Sequence, residues 1–187
     1  MMMHNYSKAI IRKPAPNFRD GLTESNLGMP DYELALAQHG HYCQALQVCG
    51  LEIIELEPEP SFPDACFVED AAIIVDDQAV VSRLGHPSRR GEETSIADIL
   101  ASYKQLTFIK EPGTIDGGDV MQVGDHFFIG LTKRTNEEGA GRLADILRNC
   151  GKTSSTVRVE NFIHLKTFVT SIDADTLVGL TKHMSPG

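Results

Sequence analysis

The sequence predicts an α/β fold assembled from repeated modules of strands plus one helix. Three observations predict it. Three stretches read as amphipathic helices, the second and third with apolar residues at the i, i+3, i+4, i+7 spacing. Between them, residues 71–83, 120–134 and 168–183 each read as two strands around a polar turn. The turn centres fall 48 to 49 residues apart, and the tetrapeptide GLTK recurs at that interval, at 130–133 and 179–182. A module this small cannot bury its apolar faces alone, so several must pack together. At this period the 187 residues hold a little under four modules.

Each helix has its own start and stop signals. In the first, Asp31 follows Pro30 as a cap and Gly50 ends the run, with Tyr32, Leu36, Cys43 and Leu46 on the apolar side. The second opens with Glu92 and Glu93, whose charge suits a helix N-terminus, and carries Ile96, Ile99, Leu100 and Tyr103. The third lies between Asn136 and Gly151, with Leu143, Ile146, Leu147 and Cys150 inward. The Pro-rich stretch 57–64 is too short for a linker, so 1–187 reads as a single domain.

Composition narrows the function. The net charge of -9 leaves no basic stripe for nucleic acid. No run of about 18 apolar residues is present to span a membrane, and the N-terminus lacks a signal peptide's apolar core. Four scattered cysteines without a CxxC pair fit a reduced, cytoplasmic protein.

The chemistry concentrates in two acidic groups. Asp64, Glu69 and Asp70 open an otherwise apolar, strand-like run, and Asp116 and Asp119 flank the paired Gly117 and Gly118, which permit close backbone approach. Carboxylates on separate strands suit a cation. The D-x-D-x-D-G spacing of a calcium loop is missing, whereas a guanidinium offers a planar fork of donors that stays charged. Arg89, Arg90 and Arg134 each follow a hairpin and precede a helix, placing them on one rim, where an arginine fork would meet a ligand carboxylate. His164, in a strand-like run, is a candidate acid/base. His39 and Cys43 lie one helical turn apart, but two ligands do not make a metal site, and no phosphate-cradling motif occurs.

The stretches DGLTESNLGMPDYELALAQH, FPDACFVEDAAII, GHPSRRGE, GTIDGGDVMQVGDHFFIGLTKRTNEEGA and HLKTFV resemble, in this order, the dimethylarginine dimethylaminohydrolase family of the pentein group. The resemblance implies an α/β propeller of five ββαβ modules around a central pocket, represented here by three to four. It also implies hydrolysis of methylated arginine to citrulline and a methylamine, without metal or other cofactor. Asp64 and Asp70 would then hold the guanidinium with Glu69 beside them, Phe67 would pack on the substrate, and the Leu22 carbonyl would help close a lid. Arg89 and Arg134 would bind the α-carboxylate, and His164 would be the acid/base oriented by Asp116.

The family mechanism needs a cysteine thiolate to attack the guanidinium carbon. The family's nucleophile comes from the fifth module, so the resemblance implies a chain lacking its C-terminal modules and inactive alone. Cys66 is the substitute to weigh; Cys43, Cys49 and Cys150 read as helix residues. An incomplete ring would expose strand edges, which leaves a homodimer open. An arginine deiminase-like activity and a non-catalytic guanidino-ligand-binding form remain alternatives.

Overall fold

The computed structural model describes residues 6–160, 162–173 and 175–180. Residues 181–183 of the third expected strand pair, and with them the end of the second GLTK, lie outside the described residues. The chain forms two compact units, one ending at Val68 and one beginning at Glu69.

The N-terminal unit is a parallel strand–helix–strand. β1 (Lys8–Arg12) pairs in register with β2 (Glu52–Leu56), and α1 (Tyr32–Val48) connects them. The Asp31 carboxylate accepts the Leu34 amide at 2.8 Å, and Gly50 takes φ +86° just past the helix end. Tyr32, Leu36, Cys43 and Leu46 are half-buried. Two strands are too little sheet to bury α1 further.

The second unit repeats one topology. β3 (Ala72–Val75) and β4 (Gln78–Val81) form a hairpin, α2 (Glu93–Leu100) crosses over, and β5 (Gln105–Phe108) returns parallel to β4. β6 (Val120–Val123), β7 (His126–Leu131), α3 (Glu137–Asn149) and β8 (Thr153–Arg158) do the same. The pairing Gln78↔Gln105 recurs as His126↔Thr153, each partner 48 residues on. Both hairpins turn through a left-handed residue at the same place, Asp76 at φ 49° and Gly124 at φ 60°. A last hairpin pairs β9 (Val169–Ser171) with β10 (Leu177–Gly179).

Ile73, Val75 and Val80 of the first module pack with Phe127, Ile129, Leu143 and Leu147 of the second in one core. The modules thus bury each other's apolar faces, as their size requires. α3 is capped by Asn136, which accepts the Gly139 amide at 2.8 Å. Tyr103, expected on the second helix, lies beyond its end: the chain tightens after Leu100 and the ring is 50% exposed.

The acidic run 62–71 is not a strand. Backbone turns occupy Phe62–Phe67, and a single 3-10 turn spans Val68–Ala71 before β3 starts. Pro63 has no amide to give a ladder, and Asp64 binds its carboxylate to a neighbouring loop. His164 likewise lies in extended chain just before the 3-10 turn Leu165–Thr167.

Candidate functional site

In the N-terminal unit, both oxygens of Asp64 accept the Leu22 amide at 3.1 Å, so Leu22 contributes its N–H here. Phe67 is 51% exposed, and its ring tilts against Phe18.

The second unit gathers all its buried charged side chains, among the described residues, into one cluster: Asp70, Arg89, Glu92, Asp116, Asp119 and the partly protonatable His164. Asp70 comes from the 3-10 turn before β3, while Asp116 precedes and Asp119 ends the equivalent turn Gly117–Asp119 before β6. Arg89 closes the short turn before α2. The 3-10 turns aim these side chains along one edge of the strands, which explains their convergence from distant sequence positions.

Arg89 does not stand on a rim. Its Nη1 donates to Asp70 Oδ2 at 2.7 Å, its Nη2 to Glu92 Oε2 at 2.8 Å, and its Nε to both Glu92 oxygens at 3.1 Å. Burial would lower its pKa, but Glu92 and Asp70 outweigh that and raise it. A buried guanidinium needs partners on every face, and these two carboxylates provide them. Glu92, read from sequence only as a helix-start residue, is therefore part of the site's framework.

Arg134 is placed differently. Its Nη1 is buried without a hydrogen bond and lies 3.8 Å from Asp116 Oδ2, which is also unbonded. Asp116 Oδ1 accepts the Gly85 amide at 2.8 Å. Burial pushes the Asp116 carboxyl up to about 6, with the Gly85 amide and Arg89 pulling the other way.

His164 Nδ1, buried without a hydrogen bond, lies 3.4 Å from Asp119 Oδ1, and Nε2 faces Asp70 Oδ1 at 3.8 Å, with a carboxylate oxygen of Asp116 within 4.8 Å of a ring nitrogen. Burial would depress the imidazole pKa, but Asp119, Asp70 and Asp116 together hold it above its ordinary value. The paired glycines make this packing possible. A Cβ on Gly118 would lie 2.8 Å from both Asp70 Oδ1 and His164 Cγ, and one on Gly117 would strike the Glu69 carbonyl. Glu69 itself is exposed and pairs with Lys166 at 2.7 Å.

Two carboxylates also clasp neighbouring modules. Asp70 Oδ1 accepts the Gly118 amide at 2.9 Å, and Asp119 Oδ1 accepts the Leu165 amide at 3.0 Å.

Asp70, Asp116 and His164 bring ligand atoms within 4.8 Å of one another, a spacing one cation can use. Two guanidinium groups within 4 Å of those carboxylates disfavour a dication there. A separate groove of about 440 Å³, between α2 and β5, contains none of these residues.

The family model for arginine deiminase matches residues 56–186. The dimethylarginine dimethylaminohydrolase of Pseudomonas aeruginosa is 41% identical over 96% of this chain and 72% of its own length. The chain belongs to the dimethylarginine dimethylaminohydrolase family. The family enzyme of Streptomyces coelicolor is 36% identical over 92% of the chain and 67% of its own. A solved Cys→Ser variant of the Pseudomonas aeruginosa family member, complexed with citrulline, superposes with a TM-score of 0.91 at 42% identity, covering 93% of this chain and 69% of that one. The repeated ββαβ modules are thus those of the pentein α/β propeller fold. No helix among the described residues is long and apolar enough to cross a membrane.

Proposed function

We propose that this chain binds an Nω-methylated arginine and serves its hydrolysis to citrulline and a methylamine. One observation carries the reading. In the cluster of Asp70, Arg89, Glu92, Asp116, Asp119, Arg134 and His164, one acceptor and one donor stay buried without a hydrogen bond, Asp116 Oδ2 and Arg134 Nη1, as a ligand carrying both a guanidinium and a carboxylate could use. Family membership supplies the ligand class.

In this reading the ligand guanidinium lies against Asp70 and the unbonded Asp116 Oδ2. Its α-carboxylate is taken by Arg134, whose Nη1 has no hydrogen bond, rather than by the fully engaged Arg89. Roles for Leu22, Asp64, Phe67 and Glu69 rest on the family resemblance. His164, its pKa held high, gives its proton to the departing amine as a thiolate attacks, and then takes one from the water that releases citrulline. The second unit's cysteine, Cys150, closes α3 and packs on the core, so it is not the attacking thiol.

Calorimetry with Nω,Nω-dimethylarginine tests the reading. Binding by the 187-residue protein should weaken about 30-fold or more in Arg134→Ala and in Asp116→Asn, since each leaves a buried charge unpaired. Equal affinity in both variants, or no heat with any guanidino amino acid, would sink it. The match to the arginine deiminase family favours one second reading, unmethylated arginine as substrate. Ammonia rather than dimethylamine as product decides for it.

A further inference from the structure

We infer that Gly85 is a positioning residue for Arg134, with Arg90 as the strut that holds Gly85 in place. The inference rests on the proposed function, in which Arg134 takes the ligand α-carboxylate. Arg134 lies in a turn closed by its own threonines: the Thr132 amide donates to the Thr135 carbonyl at 3.1 Å, and the Arg134 amide to Thr132 Oγ1 at 2.9 Å. Those bonds fix the shape of the turn, and Gly85 supplies the surface it leans on. A Cβ on Gly85 would lie 2.2 Å from the Arg134 carbonyl oxygen and 2.4 Å from its Cα. Gly85 is not among the glycines with positive φ, so this contact, rather than backbone conformation, demands glycine here.

The same residue also holds Asp116. The Gly85 amide donates to Asp116 Oδ1 at 2.8 Å, while the Asp116 amide donates to Thr135 Oγ1 at 3.2 Å, in the turn that carries Arg134. Gly85 therefore touches both residues whose outer atoms stay unbonded, Arg134 Nη1 and Asp116 Oδ2, which lie 3.8 Å apart. Its Cα sets where the Arg134 side chain starts, and its N–H sets where the Asp116 carboxylate stops.

Arg90, on sequence a rim cation for a ligand carboxylate, instead turns back on its own chain. Its Nε donates to the Leu84 carbonyl at 3.1 Å, and its Nη2 reaches the Gly85 carbonyl at 3.5 Å. The Leu84 side chain is fully buried, and the Arg83 carbonyl accepts the Ile115 amide at 3.0 Å. The segment Arg83–Gly85 is thus clamped from three directions. A side chain added at Gly85 would displace main chain on the Arg134 side, because the atoms it meets there are backbone and cannot swing aside.

A double-mutant cycle read by calorimetry with Nω,Nω-dimethylarginine tests this. Gly85→Ala should weaken binding about tenfold or more in the parent, but less than about threefold once Arg134 is already alanine. General loosening would cost the same factor in both backgrounds, so equal losses overturn the inference. Arg90→Gln, an exposed change, serves if Gly85→Ala does not fold: it should weaken binding about threefold or more, again only while Arg134 is present. Independence of the two sites overturns the inference. A readout without ligand separates this from failure of the proposed function. The NMR signal of Arg134 Nε–H, assigned by its loss in Arg134→Lys, should move in Gly85→Ala and in Arg90→Gln. If it stays in place in the variants that fold, the inference falls, whether or not any guanidino compound binds.

Discussion

The guanidinium of Arg89 lies 2.7 Å from the Asp70 carboxylate and holds Glu92 with its other edge, all three side chains being buried. Asp70 is thus fixed in place by an internal cation before any ligand arrives. Arg89→Ala would strand two buried carboxylates. It should cost about 3–5 kcal/mol of stability, read from urea denaturation midpoints. A loss below about 1 kcal/mol would mean the pair is solvated in solution.

Asp116 makes stability depend on pH. Its folded pKa, about 6, lies above the ordinary 3.8, so folding favours the protonated acid. That contribution is complete below pH 3.8 and is lost as pH rises through 6. His164, also raised, loses its contribution as pH climbs past its own folded value, so both trends run the same way. Relative to the parent, Asp116→Asn should gain about 3 kcal/mol between pH 4 and pH 8. Parallel stability curves for the two proteins would contradict the buried-acid account.

Glycines 118 and 141 should respond oppositely to alanine. At Gly118 the new methyl would meet Asp70 and the His164 ring, and a cost of about 1–3 kcal/mol with loss of dimethylarginine binding is expected. At Gly141, within α3, nothing lies within 4 Å of the new atom, and a gain of about 1 kcal/mol is expected. Thermal melts of the two variants make the comparison.

Citrulline assays should separate binding from chemistry. Burial raises the Cys43 thiol pKa, and Cys150 is a helix-end residue packed on the core, so neither suits a nucleophile. The 187-residue protein is expected to bind dimethylarginine without releasing citrulline. Product that appears, and disappears in His164→Ala, would show that a thiol of this chain serves.

Much of this architecture was legible because its signals are local. Asp31 and Asn136 cap the helices they were expected to cap, and Gly50 and Gly151 follow the helix ends with positive φ. The repeat was legible because equal spacing survives folding unchanged. Close backbone approach at Gly117 and Gly118 was legible from the pair itself. The burial of Arg89 was not, because it depends on Asp70, nineteen residues away, and on Glu92 turning inward from a helix start. The hydroxyl partners of Asp119 were not legible, because Thr132 and Thr135 arrive on the far side of a hairpin. The 3-10 turn at Val68–Ala71 was hidden by apolar neighbours that read as strand.

The Gly118 amide ends on Asp70, which also holds Arg89, and the Leu165 amide ends on Asp119, which also holds the Thr132 and Thr135 hydroxyls and lies beside His164. Their solvent-exchange protection should therefore rise together when a guanidino compound binds against these carboxylates. Two peptide protons would then act as built-in reporters of occupancy, readable by deuterium uptake in protein carrying no label or substitution.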